Sequence, residues 1–181
     1  MKALTSVTLM FVAMLRTAVA ADSTSVFKPF ADRVQEYMKV RASTQGLFSH
    51  SRTTNKHKDI IERQRSLAEA LRKARANAKQ GDVFTPEIAD QFRRVIRDQF
   101  AGPNGAEIRK TIRQGEPTGT THLEINDSYP EQKARTTVPP TLLIALPALP
   151  PELAYRIVGR DLVLQDKEAR TIVDYIPDAI P

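Results

Sequence analysis

Four carboxylates, Asp161, Asp166, Glu168 and Asp174, fall close together near the C-terminal end of this 181-residue chain. Paired acids can work on glycosidic or peptidoglycan bonds when one is desolvated and held protonated while its neighbour stays ionised. The plainer assignment makes Asp161 and Asp166 turn residues and points Asp174 at solvent, because Ile172 and Asp174 alternate and cannot both be given to the core by type. The three histidines, His50, His57 and His122, lack the helical HxxxH or HExxH spacing of a zinc site. Ser49-His50-Ser51 sets hydroxyls beside an imidazole, but no GxSxG or SxxK accompanies it. With no cysteine there is no thiol nucleophile, no disulfide and no Cys-based metal site. No catalytic residue, cofactor or metal ligand set is therefore assigned from the sequence.

A recognition surface is the second chemical possibility. Tyr155, Arg156, Arg160 and Asp161 bring an aromatic ring, two guanidinium groups and an acid into one short stretch, and Tyr and Arg are enriched among binding hot spots. The same residues also make ordinary cross-strand pairs. Further upstream lie Arg63, Arg72, Lys73, Arg75 and Lys79, then Arg93, Arg94 and Arg97. The formal charge of +6 hides a division. Residues 21–115 carry 19 basic and 11 acidic side chains, a net of +8, whereas residues 116–181 carry 6 and 10, a net of −4. Either the two parts neutralise each other weakly through solvent, or the basic helices face an anionic envelope polymer, lipid head groups or an acidic protein. No aromatic-interleaved RNA motif accompanies the charges, and nucleic acid is not an expected partner.

The elements that must position these residues read in two grammars. Phe27, Phe30, Val34, Tyr37 and Arg41 recur at spacings of three and four, which predicts a first helix over about 25–42 with Ser25 as N-cap. Ser43 to Asn55 reads as a polar loop. Ile60, Gln64, Leu67, Leu71, Ala74 and Ala78 predict a second helix over about 58–79, and Thr85-Pro86-Glu87 supplies a cap, a first-turn proline and a first-turn acid for a third. That third helix has Ile88, Phe92, Val95, Ile96 and Phe100 as its stripe. Gly102 to Gly105 breaks it, and a shorter helix carries Ile108 and Ile112 from an Asn104 cap to Gly115.

Beyond Gly115 the period shortens. Thr121 to Asn126 alternates like a strand, and Asn126-Asp127 marks a turn. Thr141 to Leu146, entered through Pro139-Pro140, reads as one or two helical turns. Ala154–Val158, Asp161–Gln165 and Arg170–Tyr175 form three strands of a meander. Ile180, between prolines, predicts a tail that docks. The fold expected is α+β: three main helices and a short one over about 25–115, then a proline-framed β part over about 116–181 ending in a small antiparallel meander.

The first twenty residues read as an address. Lys2, an apolar run from Val7 to Leu15, and small residues at Ala18 and Ala20 predict a signal peptide cleaved before Ala21. This nine-residue run spans about half of the ~20 that a membrane crossing needs. The expected product is an exported domain over 21–181, periplasmic or secreted, with no transmembrane segment.

The ending YRIVGRDLVLQDKEARTIVDYIPDAIP, from Tyr155 to Pro181 and preceded by VPPTLLIALPALPPELA, resembles the C-terminal signature of a family of small exported bacterial proteins of unknown function. The resemblance implies export and brings no catalytic residue with it. The closing hairpin is also similar, more weakly, to that of the periplasmic nickel/cobalt homeostasis family, whose Pro-, His- and aromatic-rich middle this chain lacks. Three functional readings follow: a non-catalytic binding or envelope-associated accessory protein whose partner is protein or an anionic envelope polymer; a carboxylate-dependent hydrolase of cell-wall polymer; and a metal-homeostasis protein.

Overall fold

The computed structural model describes residues 26–46, 57–115, 122–130 and 137–181. The expected signal segment, with Ala18, Ala20 and Ala21, and the expected Ser25 cap and His50 lie outside them. Among the described residues five helices come first: α1 (Lys28–Gly46), α2 (His57–Ala74), α3 (Pro86–Ala101), α4 (Gly105–Gln114) and the six-residue α5 (Pro140–Ala145). An antiparallel meander follows, β1 (Leu153–Val158), β2 (Asp161–Asp166) and β3 (Thr171–Ile176), in that spatial order. The α+β arrangement expected from the sequence is the one observed.

The helical stripes explain how the layers meet. Phe30, Val34 and Tyr37 of α1 join Ile88, Phe92, Ile96 and Phe100 of α3 in one core with Leu162 and Leu164 of β2. Its centre is aromatic: Phe30 stacks on Phe84 at 5.4 Å, and Phe92 meets both edge-on at about 5 Å. Thr85 caps α3 as its sequence foretells, its hydroxyl accepting from the Ile88 amide, with Pro86 in the first turn. Asn104 opens α4 without a side-chain cap bond, and Gly115 closes it.

Three boundaries differ from the sequence reading. Helix α1 continues through residues assigned to a loop, because the Ser43 and Thr44 hydroxyls bond back to the carbonyls of Val40 and Arg41 and need no loop geometry. Helix α2 stops at Ala74, five residues before the expected Lys79. Arg75 leaves the helix to serve Asn126 and Val173, and Gly81, at φ +94°, reverses the chain. Residues 122–126 are no regular strand. Asn126 sits at φ +67°, and the chain after it follows the start of β3 through Asn126 N to Ile172 O and an isolated bridge between Ser128 and Thr171, made by Ile172 N to Asp127 O and Tyr129 N to Arg170 O. Even so, Leu123 and Tyr129 bury beside Val158, Val163 and Ile172 in a second, smaller core on the other face of the sheet.

Strand β3 carries the detail that decides where Asp174 points. Leu164 pairs with Asp174 but Gln165 pairs with Ile172, so Val173 is bulged out of register. A bulge breaks the two-residue alternation. Asp174 therefore lies opposite Leu164, toward the main core, while Ile172 belongs to the second core. The tail docks as expected: Ile180 is buried and its amide bonds to the Arg160 carbonyl.

Candidate functional site

The plain assignments of the acids fail in two cases. Asp174 does not face solvent and Asp166 is no exposed turn residue, for both are 0% exposed. Asp166 ends β2 on the same side as Leu162 and Leu164, and α1 lies over that side. Its Oδ2 accepts from Tyr37 Oη at 2.9 Å and Arg41 Nε at 2.7 Å; its Oδ1 accepts from the amides of Glu168 and Ala169 at 3.0 and 2.8 Å. Arg41 then reaches Glu168 Oε2 at 2.6 Å with its Nη2, and Gln45 donates to the same oxygen. Arg63 of α2 donates to Glu168 Oε1 at 2.9 Å. Tyr37, Arg41, Gln45 and Arg63 thus tie α1 and α2 to the turn between β2 and β3.

Asp174 is held differently, by backbone. Oδ1 accepts from Gly81 N and Tyr175 N at 3.0 and 2.8 Å, and Oδ2 from Val83 N and Phe84 N at 2.7 and 2.8 Å. The carboxylate replaces strand or helix partners for the reversal that follows α2. Arg75 completes this corner: it donates to Asn126 Oδ1 and Val173 O at 2.8 and 2.9 Å, lies 5.0 Å over the Tyr37 ring, and its carbonyl accepts from Asn126 Nδ2.

These surroundings set the ionisation. Burial pushes the Tyr37 phenol well above its ordinary range, and the adjacent Asp166 carboxylate adds to the effect. Burial also works to raise Glu168, but the hydrogen bonds and charges of Arg63 and Arg41 outweigh it and hold this carboxyl below the usual carboxylate range. Burial lifts Asp174, with its four amide donors pulling the other way. Burial likewise lifts Asp161, against a bond from the Asp178 amide.

Acid–base catalysis requires a carboxyl oxygen within hydrogen-bond reach of substrate or one bridging water. Each of the four oxygens of Asp166 and Asp174 already accepts two hydrogen bonds from this chain. The pair acts as two structural clamps. His50 lies outside the described residues, His57 opens α2, and His122 is exposed and pairs with Glu124 at 3.1 Å. No group of three or more His, Asp or Glu side chains with metal-holding geometry occurs among the described residues.

The expected recognition cluster is dispersed. Tyr155, proposed as surface, is only 6% exposed: its ring packs against Phe30 and Phe92, and its hydroxyl donates to the Pro147 carbonyl. Arg156 pairs across the hairpin with Gln165 at 2.8 Å. Arg160 holds the tail through Ile180 O and Asp178, and Asp161 accepts from the Asp178 amide. Of the basic helical residues, Arg63 and Arg75 are committed to the clamps and Arg72 reaches Asn126 O. Arg93 bonds Asp90 and the Pro177 carbonyl. Arg94 and Arg97 stay exposed with no hydrogen bond or ion pair to other described residues. The sequence reading missed the Tyr37, Arg41, Asp166 and Glu168 network as a unit. Its one signal was Arg41 falling on the apolar stripe of α1, where a cation needs a buried anion.

No family model, curated protein or solved structure matches the chain.

Proposed function

We propose that this is an exported, envelope-associated accessory protein that binds a partner and performs no chemistry of its own. The proposal includes removal of residues 1–20 as a signal peptide and kinship with the small exported proteins whose ending the chain resembles. The observation that carries it is the saturation of Asp166 and Asp174. The two most buried acids, which a hydrolase reading would need, have every oxygen engaged by the fold. Arg94 and Arg97 lie exposed on α3, in the part of the chain (residues 21–115) that carries the net positive charge.

In-cell crosslinking of the chain followed by mass spectrometry tests the reading and determines the N-terminus in the same sample. The expected result is an N-terminus at Ala21 and crosslinks to an envelope component, weakened in the triple variant Arg93→Gln, Arg94→Gln, Arg97→Gln and at high salt. An uncleaved chain in the cytoplasmic fraction would overturn it. So would muropeptide release by the purified protein that disappears in Asp161→Asn while the fold persists.

A further inference from the structure

From Thr137 to Pro151 fifteen consecutive residues carry no charge, in a chain that is 27% charged. They hold five of the twelve prolines and the helical turn α5. Leu142 and Leu146 of this segment are buried in the main core, and Tyr155 fixes its exit by donating to the Pro147 carbonyl. The opposite side is left outward: Leu143 is 43% exposed and Ile144 86%, the most exposed large apolar side chain among the described residues. Pro140, Ala148 and Pro151 are exposed as well. A scattered surface leucine needs no explanation, but an uncharged ridge anchored on one side and apolar on the other does.

We propose that this ridge is where the protein rests on an anionic phospholipid bilayer, with Leu143 and Ile144 entering the boundary between head groups and acyl chains. The proposal rests on the envelope-associated reading and names its partner. Three observations favour lipid over a protein groove. Ile144 is 86% exposed, so it needs a surface that yields around it. Prolines remove amide donors and no side-chain charge is present, so the ridge offers little directional bonding, and the edge of a hydrocarbon layer asks for none. Finally, α5 lies against α3, which carries the outward Arg94 and Arg97, and residues 21–115 have a net charge of +8. Cations on the helix that packs against the ridge attract anionic head groups over about a Debye length. No described helix is long and apolar enough to cross a membrane, so the attachment is interfacial.

The chain contains no tryptophan, so Ile144→Trp installs a single reporter. The protein purified from the exporting host is mixed with vesicles of phosphatidylethanolamine plus phosphatidylglycerol, and separately with vesicles of phosphatidylcholine alone. Expected is a blue shift of the Trp emission and quenching by brominated lipid in the first mixture, with little change in the second. Unsubstituted protein should co-sediment with the anionic vesicles, and Ile144→Glu should weaken this by about tenfold or more. Because Ile144 is outward, that variant should melt like the parent. Absence of co-sedimentation, equal binding to phosphatidylcholine, or undiminished binding by Ile144→Glu would overturn the proposal. If the protein crosslinks to an envelope component yet ignores vesicles, the ridge inference falls and the accessory reading stands. If vesicles bind but the chain is never exported, the reverse holds.

Discussion

Arg41 Nε lies 2.7 Å from Asp166 Oδ2, joining the middle of the first helix to the last residue of the central strand across 125 positions of sequence. Both side chains are almost wholly removed from water, at 3% and 0% exposure. Such a pair adds less net stability than its Coulomb energy suggests, because both ions lose their hydration. Its effect is on specificity. A helix packed by Phe30, Val34 and Tyr37 alone could slide on an apolar sheet, whereas Arg41 has one place where its charge is met.

Removing one partner should therefore be far worse than removing both. Arg41→Met leaves the Asp166 carboxylate buried without its cation and should cost about 3–5 kcal/mol. Asp166→Asn in the same chain should return part of that loss. Urea unfolding of the two single variants and the double variant measures the coupling. Additive losses would show that the pair does not act as a unit.

Glu168 gives the network a pH dependence whose sign follows from its partners. Its folded carboxyl is held below the ordinary value of 4.5, so its contribution is present above that pH and is lost as pH falls through the folded value. Asp161 and Asp174 act in the opposite sense. Burial lifts both above 3.8, so their contribution is greatest below that value and declines as pH rises through the raised one. Glu168→Gln should melt below the parent near pH 7, and the gap should close as the pH is lowered toward about 3. Thermal melts across that range check it. A gap that stays constant would mean that the Arg41 and Arg63 pairs with Glu168 contribute nothing to stability.

The sequence made the elements legible because each stripe is local: Ile88, Phe92 and Ile96 announce α3 without reference to anything else. The meander and its two-residue Gly159-Arg160 turn were equally open to reading. Asp174 was not, because its direction depends on a single bulged residue, Val173, that no alternation pattern encodes, whereas Asp166, read as a turn residue, continues the alternation of Leu162 and Leu164 at the end of β2. Tyr155 misled for a related reason. Its type suits a surface hot spot, but its strand position opposite Leu164 places it in the main core. The early end of α2 was hidden because Arg75 is recruited by Asn126 and Val173, contacts that exist only once the chain has folded.

Two glycines separate steric need from conformational need. A Cβ at Gly105, the first residue of α4, would sit 1.9 Å from the Phe100 carbonyl oxygen, which the packed end of α3 cannot move. Gly105→Ala should cost on the order of 3 kcal/mol or more. Gly159 has φ +58° and open space around it, so Gly159→Asn, a residue that accepts left-handed backbone, should cost well under about 1 kcal/mol. Comparing the denaturant midpoints of the two variants tests the assignment, and equal losses would refute it.

Asp174 should control the reversal after α2 more than it controls the sheet. Its oxygens are the acceptors for the amides of Gly81, Val83 and Phe84, and an unmet buried donor costs about 1–3 kcal/mol. Asp174→Ala should therefore destabilise the fold by several kcal/mol if water stays out, and by less if water enters the corner. Global stability alone does not separate these cases, but native-state hydrogen exchange does. The amides of Gly81, Val83 and Phe84 should lose protection in Asp174→Ala well before those of Val163 and Leu164 in β2. Asp174→Asn should fall between, because it keeps one acceptor oxygen and turns an NH2 group toward two amide donors. If the three amides stay as protected in Asp174→Ala as in the parent, the turn is held by its own backbone and the carboxylate is not its clamp.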